Sequence, residues 1–201
     1  MKNIIFDLGS VILRKRSFST LDKLDLDDNT YNELKRFFEN CTTDVDLGKK
    51  TLEEKFNECN FSKELEDKYK DYLLHYYEHR DINMDLINLI NRLKEKGYIL
   101  CILSETNYDA LNYYKNNELF KSIDYWTGSC EHGALKSEGT LFDIFLSKYN
   151  LNPEECFFVD DKEINIIEAR KRKITAHLFD ENEDIKTLYE DMIENGIDLI
   201  K

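Results

Sequence analysis

Turn-forming residues are scarce in this sequence, which has one proline and seven glycines among 201 residues. Collagen-like segments and long Pro/Gly-rich linkers need far more of both, so the composition excludes them. No stretch approaches the roughly 20 apolar residues of a membrane-spanning helix. A single lysine precedes the first apolar run, with no small-residue cleavage site after it, so we expect no export signal.

Positive charge is also in short supply. The chain has 28 Lys and Arg against 41 Asp and Glu, for a formal net charge of -13. Nucleic acids and anionic membranes are densely negative, so we expect neither as a partner. An anionic substrate would need a local positive centre here, either a lysine or a bound cation.

Paired cysteines with the Cys-x-x-Cys spacing of a redox or zinc motif are absent. The five cysteines are odd in number and scattered: Cys41, Cys59, Cys101, Cys130 and Cys156. We predict reduced thiols in a cytoplasmic protein, where structural disulfides are rare. None has a neighbouring base that would favour a catalytic thiolate.

The beginning of the chain carries the strongest structural signal. Ile4, Ile5 and Phe6 form an apolar run with no polar face, which is typical of a strand buried on both faces of a parallel sheet. Asp7 ends the run, and Gly9 follows it closely enough to permit a tight turn. A lone aspartate at such a place most often caps a turn, but ligand sites of open α/β sheets also lie there.

About sixty residues after this run show no strand pattern. Apolar residues recur at helical spacing and predict helices over about 29–38, 52–61 and 65–77. Thr51 and Glu54 have the spacing of a capping box, and residues 46–50 have the composition of a loop. We predict a small helical subdomain, residues 16–81, inserted into an α/β core of residues 1–15 and 82–201.

Helix and strand patterns alternate through the rest of the chain. The predicted helices cover about 84–96, 108–116, 140–149 and 164–171, with a last helix closing the chain. The predicted strands cover about 98–103, 123–127, 155–159 and 175–179. This alternation, with right-handed crossovers, predicts a doubly wound parallel sheet.

Polar residues follow three of the buried strands. These are Asp7, Ser104 and the pair Asp160 and Asp161, while Lys136 lies in a loop that leads into a helix. Parallel strands end at one edge of a sheet, so these residues can converge in one crevice. Three carboxylates repel one another unless a cation lies among them, and oxygen-preferring Mg²⁺ suits them. With a lysine and a hydroxyl beside it, such a site can hold a phosphoryl group.

Each of these residues also has an ordinary structural role when it is taken singly. Ser104 could cap the next helix, and Lys136 could be a solvated surface residue. The aspartate pair could favour a helix N-terminus. Four such features in this order argue for a shared site.

Four segments resemble, in order, the four motifs of the haloacid dehalogenase superfamily: residues 6–11 (FDLGSV), 103–107 (LSETN), Lys136 and 157–161 (FFVDD). The resemblance spans essentially the whole chain, including a helical insert at the cap position after motif one. The sequence looks most like small bacterial phosphatases of the alpha-D-glucose-1-phosphate phosphatase type, with a loose match at residues 48–56. The resemblance implies a Rossmann-like core and Mg²⁺-dependent hydrolysis of a small phosphorylated metabolite, with a sugar phosphate expected.

The resemblance also implies a nucleophile and a metal site. Asp7 would attack phosphorus and form an aspartyl-phosphate. Mg²⁺ would be held by Asp7, by the carbonyl of Gly9 and by Asp161. Asp160 would assist directly or through a water molecule. Asn165 would position a metal-bound water or the lysine.

The same resemblance implies a phosphate site around the end of the second strand. Ser104 would donate a hydrogen bond to a phosphoryl oxygen, and the amide of Glu105 or Thr106 could add another. Asn107 completes this predicted binding segment. Lys136 would neutralise phosphate charge and orient the nucleophile.

One position departs from the family pattern. Many phosphatases of the superfamily have a second aspartate, the general acid and base, where this chain has Gly9. Such catalysis typically contributes about 10²- to 10⁴-fold, so we expect a slow enzyme or a substrate with a good leaving group, such as a sugar 1-phosphate or an aryl phosphate. Glu131 and His132 are candidate replacements, although exposed loop residues are the simpler interpretation.

Two other functions stay open. A dehalogenase would use the same aspartate to attack carbon without a metal, which the pair Asp160 and Asp161 argues against. A non-catalytic phosphate- or protein-binding module could result from decay at Gly9. The retention of Asp7 and Lys136 argues against that alternative.

The helical insert is expected to close over the crevice and to select the substrate. Asp44, Asp46 and Lys49 in and beside its loop are the first candidates for substrate contact. The basic residues 14–16 either face the phosphate ester or balance the acidic insert. We expect a monomer or a weak homodimer.

Overall fold

A computed structural model of the chain describes residues 1–14, 17–180, 182 and 185–199, without the side chains of residues 40–42. Within these ranges the strands are β1 (Asn3–Phe6), β2 (Ile99–Ser104), β3 (Tyr125–Gly128), β4 (Cys156–Asp160) and β5 (Thr175–Leu178). The helices are α1 (Asp28–Asp46), α2 (Leu52–Glu58), α3 (Lys63–Leu74), α4 (Met84–Glu95), α5 (Tyr108–Lys115), α6 (Thr140–Tyr149), α7 (Glu163–Lys171) and α8 (Ile185–Glu194).

The five strands form one parallel sheet in the order β3-β2-β1-β4-β5. Phe6, the last residue of β1, lies opposite Ile102 in β2 and Val159 in β4. The residue after Phe6 therefore lies level with the ends of both neighbouring strands. The predicted doubly wound α/β fold is confirmed, with β1 at its centre.

Side chains on opposite faces of the sheet belong to two separate hydrophobic clusters. Ile4 and Phe6 pack with the apolar residues of α4, α5 and α8, whereas Ile5 packs with those of α6 and α7. All three side chains are fully buried. Burial on both faces explains why β1 reads as a continuous apolar run rather than an alternating one.

The segment between β1 and α4 is helical and packs on the same core. Buried residues of α1, α2 and α3, such as Phe37, Phe56 and Leu73, belong to the cluster that contains Phe6. The two connections run antiparallel, with Arg14 N donating to Asp81 O at 2.7 Å and Asn83 N to Ile12 O at 2.7 Å. Because the cluster is continuous, the division into residues 16–81 and a core stays a prediction. Its boundary falls at residues 15 and 16, outside the described residues.

Several helices and strands begin or end at residues other than the predicted ones. Helix α1 continues to Asp46 rather than ending near residue 38, because Val45 resumes the buried stripe after a polar stretch. Strand β4 includes Asp160, since its pairing with Leu178 of β5 continues through the carboxylate residue. The predicted helix over 65–77 ends at Leu74 and continues as a 3-10 turn. The predicted capping box at the start of α2 is confirmed.

None of the helices in the described ranges is long and apolar enough to cross a membrane. The four cysteines whose side chains are described carry free thiols. The side chain of Cys41 lies outside the described residues.

The turn after α1 contacts the core closely. Gly48 has φ +68°, and a β-carbon there would lie 2.4 Å from the carbonyl oxygen of Cys130. Ser129 Oγ donates to the carbonyl of Asp46 at 2.5 Å and accepts from the amide of Thr106 at 3.0 Å. The end of α1, the residues after β2 and the residues after β3 therefore meet at Ser129.

We predict that Gly48→Ala destabilises the protein more than Gly97→Ala does. Both glycines have positive φ, but a β-carbon at Gly97 would meet nothing within 4 Å. The left-handed conformation costs a side chain about 1–2 kcal/mol in either variant. The steric clash at Gly48 should add about 1–3 kcal/mol, measurable by urea unfolding. Equal losses in the two variants would contradict the close packing of this turn.

Candidate active site

Three charged side chains are buried together at the carboxyl edge of the sheet. Asp7 follows β1, Asp160 ends β4, and Lys136 lies in the loop before α6; their exposed fractions are 5%, 0% and 1%. Lys136 Nζ lies 2.8 Å from Asp7 Oδ1 and 2.5 Å from Asp160 Oδ2. The lysine thus bridges the ends of two adjacent strands, as the predicted convergence requires.

Lys136 is positioned by residues at the end of β2. Its amide donates to Glu105 Oε1 at 3.0 Å, and its Nζ donates to the carbonyl of Leu103 at 3.3 Å. Burial opposes the positive charge, but Asp160 and Asp7 outweigh it and raise the pKa of Lys136 above its usual value. The ammonium is therefore a permanent cation of this site.

Asp160 uses both of its carboxylate oxygens within the protein. Oδ1 accepts from the amide of Lys162 at 2.8 Å, and Asn165 Nδ2 donates to Oδ1 at 3.0 Å and to Oδ2 at 3.1 Å. Asn165 lies in the first turn of α7, which directs its amide back onto the end of β4. It contacts Asp160, which in turn contacts Lys136, so the expected role in positioning the lysine or a metal-bound water stays a prediction.

Asp161 retains acceptor capacity beside this pair. Carboxylate oxygens of Asp7, Asp160 and Asp161 all lie within 4.8 Å of one another. Asp161 Oδ1 is buried and accepts no hydrogen bond from the described residues, and Asp7 Oδ1 likewise has only the ammonium beside it. Burial, and then Asp160, raise the pKa of Asp161.

This donor set fits a divalent cation. Three carboxylates and one ammonium carry a net charge of -2 (three negative, one positive). Burial raises the pKa of Asp7 to about 6 even though Lys136 acts in the opposite direction. Hard oxygen ligands with unmet acceptor capacity are what Mg²⁺ prefers.

The residues after β2 are held in place by side-chain hydrogen bonds. Thr106 donates its amide to Ser129, and Asn107 Oδ1 caps α5 by accepting from the amide of Ala110 at 2.9 Å. Asn107 Nδ2 donates to the hydroxyl of Tyr76 at 3.2 Å. These polar groups already have partners inside the protein, and a role for them in phosphate binding stays a prediction.

Gly9 leaves space beside Asp7. A β-carbon there would meet only Asp7 Oδ2 within 4 Å, at the ordinary contact distance of 3.8 Å. A β-carbon would therefore fit, and the packing around the backbone does not demand glycine. The absence of a carboxylate at this position therefore affects the chemistry of the site and is not required by the packing.

Two cavities that share part of their lining open at this edge. The inner cavity, of about 90 Å³, has walls from both the sheet edge and the helical segment, including Gly9, Ser104, Phe38 and Tyr76. The outer cleft, of about 720 Å³, extends to Asp7, Asp161 and Lys162. Residues that line both are Gly9, Ser17, Phe38, Asp46, Arg80 and Glu105.

Of the three predicted contact residues of the insert, only Asp46 lines these cavities. Asp44 lies at 4.0 Å from Lys55, and Lys49 is exposed. Sequence reasoning missed Tyr76 and Arg80, which lie in and just after a short 3-10 turn and belong to no motif.

The other basic and acidic candidates lie elsewhere. Arg14 donates to Asn83 in the antiparallel connections at 3.4 Å, and residues 15 and 16 are outside the described residues. Glu131 accepts from the amide of Gly128 at 3.1 Å, and His132 is exposed. Neither Glu131 nor His132 is among the described residues that line the two cavities.

Asp46 has an unusual electrostatic environment. Burial, then the charges of Glu105 and Asp7, raise its pKa to about 7, while Lys162 acts in the opposite direction. The residue is the last of α1, where the negative end of the helix dipole also disfavours a carboxylate. The pKa of Glu105 is shifted in the opposite direction. Burial opposes its negative charge, but Lys136 and Lys162 outweigh burial and lower the pKa of Glu105.

The fold and the site together define an α/β protein with a carboxylate-and-lysine centre and a helical segment after its first strand. The chain belongs to the haloacid dehalogenase-like hydrolase family, whose model matches residues 1–171. It is 28% identical over 96 residues to the mouse (Mus musculus) bifunctional epoxide hydrolase 2, a match that covers 45% of this chain and 17% of that enzyme.

Solved structures share the fold across almost the whole chain. A HAD family enzyme from Bacteroides thetaiotaomicron, in complex with magnesium and inorganic phosphate, has a TM-score of 0.71 at 23% identity, covering 94% of this chain and 99% of that one. A dehalogenase has a TM-score of 0.69 at 17% identity, covering 92% and 87%. The fold is common to both, so the chemistry must be argued from the site.

We predict that Lys136→Met makes stability depend on divalent metal. In EDTA at neutral pH the variant should lose about 3–5 kcal/mol, because two buried carboxylates lose their shared cation. Mg²⁺ should restore more stability to the variant than to the unmutated protein, because the site is then more negative. Urea unfolding with EDTA and with Mg²⁺ measures both effects.

The matched control is Lys63→Met. Lys63 forms an exposed ion pair with Asp67 on α3, and its loss should change stability by less than about 1 kcal/mol with no metal dependence. A Lys136→Met variant as stable as this control in EDTA would contradict the role of the buried cation.

We predict that Asp46→Asn stabilises the metal-free protein at alkaline pH. The pKa of Asp46 is about 7 in the folded protein, against 3.8 for an ordinary aspartate. The unfolded chain thus ionises more readily, and the carboxylate destabilises the fold increasingly between pH 4 and 7. The variant should match the unmutated protein near pH 4 and gain at most about 4 kcal/mol above pH 7.

Urea unfolding in EDTA across this pH range checks the gain, with Asp44→Asn as the matched control. A difference between Asp46→Asn and the unmutated protein that is negative, or constant with pH, would show that the carboxylate is not strained.

Proposed function

We propose that this hydrolase is a Mg²⁺-dependent phosphatase that acts on a small phosphorylated metabolite, with a sugar phosphate as the expected substrate, through an aspartyl-phosphate. The observation that carries the proposal is the buried ammonium of Lys136 between Asp7 and Asp160, with an unpaired oxygen of Asp161 beside them. A cation and acidic oxygens in one crevice suit a phosphoryl group, which is an anion that travels with a metal.

Asp7 is the proposed nucleophile. Its carboxylate attacks phosphorus, forms an acyl phosphate and releases the alcohol; attack by water then regenerates the carboxylate. Lys136 keeps the carboxylate in place, because its Nζ lies 2.8 Å from Oδ1. The ammonium also neutralises charge on the phosphate.

Asp7, Asp161 and the carbonyl of Gly9 are the proposed metal ligands. When bound, Mg²⁺ supplies positive charge that stabilises the phosphoryl oxygens. Asp160 belongs to the same acidic group, but its oxygens already accept from Lys136, Lys162 and Asn165. It acts as a positioning residue that holds the lysine.

Ser104 is the proposed hydroxyl donor to the phosphate. It is buried and lines the inner cavity next to Gly9. Glu105, Thr106 and Asn107 are proposed to form the rest of the phosphate loop through their backbone. The side chains of Glu105 and Asn107 and the amide of Thr106, which are bonded within the protein, hold that loop in shape.

The inner cavity supports a small leaving group. Its walls combine aromatic rings of Phe38 and Tyr76 with the charged groups of Arg80 and Asp46. Such a mixture suits a hydroxylated organic group better than a purely apolar one. The dehalogenase alternative has no use for the acidic pair, and a non-catalytic module would gain nothing from three buried charges whose desolvation is unfavourable.

The test is hydrolysis of p-nitrophenyl phosphate and of a sugar-phosphate panel, with Mg²⁺ and with EDTA. We expect metal-dependent turnover that falls by at least about 10³-fold in Asp7→Asn, since an amide is a far poorer nucleophile. Trapping of a phosphorylated Asp7 by mass spectrometry would identify the intermediate. Absence of turnover in the unmutated protein, while calorimetry shows Mg²⁺ binding, would overturn the proposal.

A further inference from the structure

We infer that Asp46, from the helical insert, is the general acid and base that replaces the side chain missing at Gly9. The inference rests on the proposed phosphatase function. It names the residue that exchanges protons with the leaving group and with the attacking water.

Asp46 lies at the boundary of the two cavities. It lines both the inner cavity and the outer cleft, as Gly9 does. The outer cleft holds Asp7, and the inner cavity holds Ser104. A leaving group between these two residues would therefore face Asp46 from the side of the insert.

Three charged residues among the described ones line both cavities: Asp46, Arg80 and Glu105. Arg80 is always protonated and cannot exchange a proton. Glu105 accepts at both oxygens, from the amide of Lys136 and from Lys162 Nζ, each at 3.0 Å. Among these three residues, Asp46 alone lines both cavities with a carboxyl group that is available to gain and lose a proton.

The backbone of Asp46 is anchored to the core. Its carbonyl accepts from Ser129 Oγ at 2.5 Å, and Gly48 packs against Cys130 two residues later. The proposed general acid therefore lies on a part of the helical segment that is hydrogen-bonded to the core. A residue on a freely moving lid would be a poorer choice, since proton transfer needs a short and defined distance.

The charged and titratable groups around Asp46 come from five elements, including the neutral thiol of Cys130 after β3, whose pKa burial and nearby carboxylates raise. Glu105 follows β2, Asp7 follows β1 and Lys162 precedes α7, while Tyr76 and Arg80 lie beyond α3. Burial and the two carboxylates favour the protonated form of Asp46, with Lys162 in opposition. Burial raises the pKa of Tyr76 to about 12, so it stays neutral. Asp46 can thus hold a proton near neutral pH, as a general acid must.

The proton balance closes over the two steps. Asp7 Oδ forms a bond to phosphorus while the bond from phosphorus to the leaving oxygen breaks, and the Asp46 carboxyl proton goes to that oxygen. The resulting carboxylate then takes a proton from water as its oxygen attacks phosphorus. The bond from phosphorus to Asp7 breaks, inorganic phosphate leaves, and Asp46 is protonated again.

The test compares Asp46→Asn with the unmutated protein on two substrates in Mg²⁺. A simple alkyl phosphate has a poor leaving group, so its hydrolysis should fall by about 10²- to 10⁴-fold. p-Nitrophenolate leaves without a proton, so the variant should still release one equivalent of it in a burst. Steady turnover should then be slow, because the base for the second step is missing, and the phosphoenzyme should accumulate.

Two further variants sharpen the test. Asp44→Asn, two residues earlier on α1 and away from both cavities, should behave as the unmutated protein does. Gly9→Asp should restore alkyl phosphate hydrolysis in the Asp46→Asn background, because a β-carbon there meets only Asp7 Oδ2, at 3.8 Å, and the position lines both cavities.

Full activity of Asp46→Asn on both substrates would overturn this inference alone. An equal loss on both, with no burst and no rescue by Gly9→Asp, would do the same and would assign Asp46 a structural role. If the unmutated protein itself lacks Mg²⁺-dependent turnover, the proposed function fails, and the inference fails with it.

Discussion

The buried ammonium of Lys136 between Asp7 and Asp160 is the interaction on which the rest of this structure depends. Three charges removed from water destabilise a protein unless they are paired and hydrogen-bonded. The pairing needs two adjacent strands that end level with each other, which the register of β1 and β4 supplies. It also needs Glu105 to hold the lysine amide and Asn165 to hold the second carboxylate. The contacts that stabilise the buried charges are therefore also the contacts on which the proposed function depends.

The helical insert supplies the part of the site that the sheet does not. Phe38, Tyr76 and Arg80 form walls of the inner cavity opposite Ser104. Asp46 reaches the same space from the end of α1, and Ser129 fixes that end to the core. In the family pattern the acid stands two residues after the nucleophile, close to it in sequence. Here the proposed acid is 39 residues away from Asp7 (46 minus 7), on a different element.

Membership of the family limits the reactions that this protein could catalyse, but it does not identify one of them. Structures of a magnesium- and phosphate-bound enzyme and of a dehalogenase match this chain about equally well. A shared fold places a carboxylate after the first strand, but the reaction depends on the charged groups around that carboxylate. The net charge of -2 among Asp7, Asp160, Asp161 and Lys136 is what favours a divalent cation and a phosphoryl group here.

Local patterns in the sequence were enough to identify the parallel sheet. They also identified the strand ends that carry Asp7, Ser104 and Asp160, because an apolar run and the residue that ends it are adjacent along the chain. Side-chain partners were beyond such patterns. Asn165 was expected to position Lys136 or a metal-bound water. Its side chain donates to Asp160, because the first turn of α7 places it beside the end of β4. Arg80 and Tyr76 belong to no motif and enter the site only through packing of the insert. The raised pKa of Asp46 likewise exists only in the folded protein, because burial and distant carboxylates create it.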